Sequence, residues 1–100
     1  MPSMLRKTSG WLRRHFPTKT PVRVTIVPSL PGMHGLCHVT AERATIKISR
    51  ASEHMMAETL LEEWAHVLRH ECPVPYDGDD DHDAVFWSIL ARITKEYRGE

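Results

Sequence analysis

Leu5, Trp11, Leu12 and Phe16 recur at roughly helical spacing and stop before Pro17, which predicts a short amphipathic N-terminal helix loosened near Gly10. Val22, Val24 and Ile26 then alternate with Arg23, Thr25 and Val27, a strand pattern that runs into the Pro- and Gly-rich turn of residues 28–35. Leu36 to Thr40 reads as a second strand. Thr45 to Arg50 alternates again with β-branched residues and reads as a third. Ser52 can cap a helix with its hydroxyl, and Glu53 suits the positive helix end. Met56, Leu60, Leu61, Trp64, Val67 and Leu68 then form a wide apolar stripe that Pro73 and Pro75 terminate. A last stripe of Phe86, Ile89, Leu90, Ile93 and Tyr97 begins after Asp83 and ends among Lys95 and Arg98, as the helix dipole prefers.

These elements define an α+β fold in one domain over residues 1–100: N-terminal helix and linker (1–20), small three-stranded sheet (22–50), central helix (53–71), acidic loop (72–82) and C-terminal helix (83–98). Trp64, Leu68, Phe86, Leu90 and Ile93 are the expected core between the two longer helices. A chain of 100 residues is close to the size at which a single core is barely self-sufficient.

Thirteen Lys+Arg balance thirteen Asp+Glu, so no global basic excess favours nucleic acid. The balance hides a division: residues 1–50 carry nine cations and one acid, and residues 51–100 carry four cations and twelve acids. The halves are expected to face each other. No apolar run is long enough for a membrane span or a signal-peptide core, and two cysteines are too few for a disulfide framework. Those features point to a cytoplasmic protein. Seven histidines in so short a chain require an explanation.

The central helix contains Glu62-Glu63-Trp64-Ala65-His66. Residues four apart on a helix share a face, so Glu62 and His66 can clamp one metal ion. Glu63, one position further round, can reach a water on that ion and serve as general base, the geometry of an HExxH helix with Glu62 in place of the first histidine. Carboxylate oxygen and imidazole nitrogen bind zinc at similar distances, although an anionic ligand leaves the bound water less acidic. His82, beyond the acidic loop, is the expected third ligand. His70 also lies four residues from His66, but it is eight from Glu62, about 12 Å along the axis, and one ion cannot take all three.

The stretch from Thr45-Ile46-Lys47-Ile48-Ser49 through Leu60-Leu61-Glu62-Glu63-Trp64-Ala65-His66 to Asp81-His82-Asp83-Ala84-Val85-Phe86-Trp87 resembles the small SprT-like, phage-type zincin metallopeptidases. The resemblance covers residues 22 to 97. It implies a zincin-like minimal domain in which an edge strand precedes the active-site helix. It also implies Zn2+ held by His66 and His82, with Glu62 in the place of the first ligand and Glu63 as catalytic base. The implied activity is hydrolysis of a protein or peptide substrate. The Thr45 to Arg50 strand would hold that substrate by strand addition.

Other readings compete with this one. A catalytically inactive zincin-like module would use a structural metal, or a Glu62 to His82 contact, to staple its helices while the divided surface binds another protein. His34, Cys37 and His38 would gather a metal on a hairpin but lack a fourth partner. Asp79, Asp80, Asp81 and Asp83 would attract calcium but lack the Gly and terminal Glu of an EF-hand loop, and read as a solvated loop that lets His82 fold back. Glu62 and Glu63 would be a solvated helix face, pairing with Arg69 or the basic half.

Overall fold

The computed structural model describes residues 1–99. Its elements are α1 (Ser3–His15), β1 (Val22–Val27), β2 (Gly35–Val39), β3 (Ala44–Ser49), α2 (Glu53–Glu71) and α3 (Ala84–Tyr97). The α+β class and all six elements agree with the sequence reading. α1 runs through Gly10 without a break. Thr8, Ser9 and Leu12 are buried around that residue, and tertiary packing outweighs the roughly 1 kcal/mol that a mid-helix glycine costs.

The strand order is β1-β3-β2. β1 pairs with β3 in parallel, from Val22 opposite Ala44 to Val27 opposite Ser49, while β2 pairs with β3 antiparallel, from Gly35 opposite Ile48 to Val39 opposite Ala44. The chain therefore leaves β1, crosses to the far edge as β2, and returns between the two. Thr40 closes that return: its backbone N–H and hydroxyl both donate to the Arg43 carbonyl, and its hydroxyl oxygen accepts from Glu42 and Arg43. β3 is consequently the central strand, with both of its backbone edges paired. Thr45 to Arg50 cannot add a substrate strand, which corrects the sequence expectation; β1 and β2 are the edges.

Period-two alternation places Val22, Val24, Ile26, Cys37, Val39, Ala44, Ile46 and Ile48 on one sheet face, which packs beneath α2. α2 is the hub, with α1, α3, β2 and β3 all against it. Ser52 caps α2 by accepting from the Met55 N–H at 3.2 Å. Trp64 is wholly buried, and its indole N–H donates to the Phe16 carbonyl at 2.9 Å, fixing the end of α1 against α2. Trp64, Phe86 and Ile93 are fully buried as expected, with Leu68 and Leu90 packed partly buried against them.

The charge division closes differently from the expectation. Among the described residues, the ion pairs are Arg69–Asp83 and Arg98–Glu58, and His54 Nε2 stands 4.0 Å from the Glu58 carboxylate, all within the second half. Carboxylates that reach the first half accept from backbone N–H groups instead: Glu53 from Met4 at 3.1 Å, and Glu71 from Lys19 at 2.8 Å and Thr20 at 3.0 Å. A backbone donor is already fixed in place, whereas a long exposed cation loses rotamer entropy when it pairs. Among the described residues, no helix is long and apolar enough to cross a membrane.

Candidate metal centre

β2, α2 and the loop before α3 enclose an open cleft of about 500 Å³, walled by Gly35, Leu36 and Cys37 on one side, Glu62, Glu63 and His66 on the second, and Tyr76, Asp81 and His82 on the third. The helical spacing of α2 delivers its three residues to the cleft, as the sequence predicts. His82 arrives from the opposite wall because Asp83 caps α3, its carboxylate accepting from the Phe86 N–H at 3.0 Å.

His66 Nε2 and His82 Nε2 lie 3.0 Å apart. Both rings stack on Phe86, with centroid separations of 4.4 Å and 4.7 Å, so one buried aromatic supports the pair. Asp81 completes a group of three donors whose ligand atoms all lie within 4.8 Å of one another. Two imidazole nitrogens sharing a tetrahedral zinc at about 2 Å stand about 3.3 Å apart, so a shift of a few tenths of an ångström accommodates the ion. Burial, followed by the neighbouring His82, lowers the pKa of His66, while Asp81 and Glu62 partly oppose the shift. The neutral imidazole so favoured is the form that binds metal.

Glu62 lines the cleft half-buried, but its carboxylate falls outside that three-donor group. Asp81 arrives with its chain neighbour His82, whereas Glu62 stands a helical turn from His66, with Cβ atoms separated by about 6 Å. Asp81, which the sequence places in a solvated loop, thus joins the site where Glu62 is expected. The only signal for it was adjacency to His82.

Glu63 is 7% exposed and is not the solvated residue of the competing reading. Burial first, then Glu62 and Asp81, push its pKa up to about 7. Room for it is made by Gly35, where an added Cβ would stand 2.6 Å from Thr59 Cγ2 and 2.9 Å from Glu63 Cγ. A carboxyl with a pKa near neutrality in a cleft is poised for proton transfer. Cys37, on the β2 wall with Gly35, has its thiol pushed up to about 12 by burial and by Glu63, which keeps it protonated and unreactive.

The remaining candidates separate. Strand alternation turns Cys37 inward and His38 outward, so His34, Cys37 and His38 do not converge. His70 lies exposed at the cleft rim. Asp83 is buried against Arg69, which removes both the calcium cluster and the expected pairing of Arg69 with Glu62 or Glu63. No protein-family model, curated protein or solved structure matches this chain.

Proposed function

We propose that the chain is a zinc-dependent metallopeptidase of the SprT-like, zincin type. The observation that carries this reading is one cleft holding two imidazoles with their Nε2 atoms 3.0 Å apart beside a buried carboxyl whose pKa is pushed up to about 7. His66 and His82 are the nitrogen ligands, and a carboxylate from Asp81 or Glu62 is the oxygen ligand. Bound zinc supplies Lewis-acid polarisation of a carbonyl and acidifies water.

Glu63 accepts the proton of the attacking water and returns it to the leaving amine. Its buried place in the cleft beside His66 holds the carboxylate where it can take that proton and give it back. The unpaired edge of β2 runs along the cleft and offers backbone N–H and C=O groups to an extended peptide, the role the sequence suggests for β3.

Turnover of a denatured protein substrate by wild type and Glu63→Gln tests the proposal. Loss of at least a hundredfold in rate with zinc content and fold retained supports it. Equal rates above zero remove Glu63 as the base, and a zinc-loaded wild type that cleaves nothing leaves the catalytically inactive module as the correct reading.

A further inference from the structure

Arg69 is fully buried. Its Nε and Nη2 donate to the two carboxylate oxygens of Asp83 at 2.9 Å and 2.7 Å, Nη1 donates to the Val74 carbonyl at 2.9 Å, and Nη2 also donates to the Pro75 carbonyl at 3.0 Å. The guanidinium carbon lies 4.1 Å from the centroid of the Tyr76 ring. Asp83 in turn accepts from the Asp77 N–H at 3.2 Å and from the Phe86 N–H at 3.0 Å. One cation therefore ties residues 74–76 directly, and residue 77 through Asp83, to the first turn of α3. The intervening arch carries Asp81 and His82.

Residues 72–83 contain no helix or strand, so no backbone ladder determines where those two donors stand. Arg69 is three residues after His66 on α2, which places the clamp and the facing ligand on one rigid element. Burying an ion pair is an inefficient way to stabilise a core, because a well-packed apolar pair does as well or better. An apolar pair has no means of fixing two carbonyls and both oxygens of a carboxylate in a set geometry.

We propose that Arg69 is the positioning residue of the metal centre, setting the location of Asp81 and His82 against His66. This rests on the zinc reading above. The Tyr76 ring, held against the guanidinium, gives the same clamp control over the cleft wall it lines.

The test is the zinc dissociation constant, measured by competition with a chromophoric chelator, for wild type and the double variant Arg69→Met/Asp83→Ser. The serine keeps a helix cap and the methionine fills apolar space, so both charges leave together. Ile93→Val, in the core away from the cleft, controls for lost stability alone. Zinc binding weaker by tenfold or more in the folded double variant, with Ile93→Val unchanged, is the expected result. Asp83→Asn, which keeps the cap and side-chain volume, should weaken zinc by about threefold or more, and it serves if the double variant does not fold. Wild-type affinity in either folded variant overturns the positioning role alone, whereas a wild type that takes up no zinc overturns the metal reading and this role with it.

Discussion

The α-carbon of Gly35 faces the side chain of Glu63 so closely that a Cβ there would lie 2.9 Å from Glu63 Cγ and 3.0 Å from its Oε2. The first residue of the edge strand thus defines the space of the proposed base. Gly35→Ala must displace Thr59 and Glu63, and overpacking of this kind costs about 1–3 kcal/mol. Urea denaturation of the variant should show that loss, and its peptide turnover should fall because the carboxyl has moved.

Metal-free protein should carry a pH signature of Glu63. Its folded pKa, about 7, lies above the ordinary 4.5, so the folded state binds more protons between those values and stability falls as pH rises through that window. Burial lowers His66 and gives a slope of opposite sign around and below 6.5. Asp83, held well below the usual range by Arg69, contributes stability that is lost as pH falls below about 4. The stability difference between Glu63→Gln and wild type isolates the first effect. In chelator, the variant should gain about 1–3 kcal/mol relative to wild type between pH 5 and pH 8.

Zinc should stabilise the fold, because the unfolded chain has no formed site. Zinc at a hundred times its dissociation constant adds about 2.7 kcal/mol. A domain of this size gains about 4–8 °C per kcal/mol, so Tm should rise by roughly 10 °C or more. Calorimetry with zinc and then with excess chelator should show the shift and its reversal in wild type, and neither in His66→Ala.

Asp81→Asn and Glu62→Gln distinguish the two carboxylates. The three-donor group formed by His66, Asp81 and His82 predicts that Asp81→Asn weakens zinc by about tenfold or more. Glu62→Gln should alter affinity less, acting only through charge. The reverse order, read from zinc titrations of both variants, assigns the ligand to Glu62.

Local signals in the sequence were reliable guides to the elements. Ser52 and Asp83 mark the starts of α2 and α3; Ser52 accepts the expected backbone N–H, and Asp83 adds to its dipole role a cap of its own on Phe86. The spacing of Glu62, Glu63 and His66 put all three in one cleft with His82. What the sequence concealed depends on distant partners. Alternation identifies a strand but says nothing of its neighbours, so β3 passed for an edge although it lies between β1 and β2. Asp83 sat in a run of acids that looked uniformly solvated, and only the approach of Arg69 from α2 separates it from Asp79 and Asp80. Gly35 resembled any turn glycine until the fold laid it on Glu63.

The most direct test is elemental analysis of untagged protein purified without added metal, wild type beside His66→Ala. About one zinc per wild-type chain, absent from the variant, is the predicted result. A wild type that holds no zinc even after zinc is offered and the excess removed would contradict a metal centre between His66 and His82.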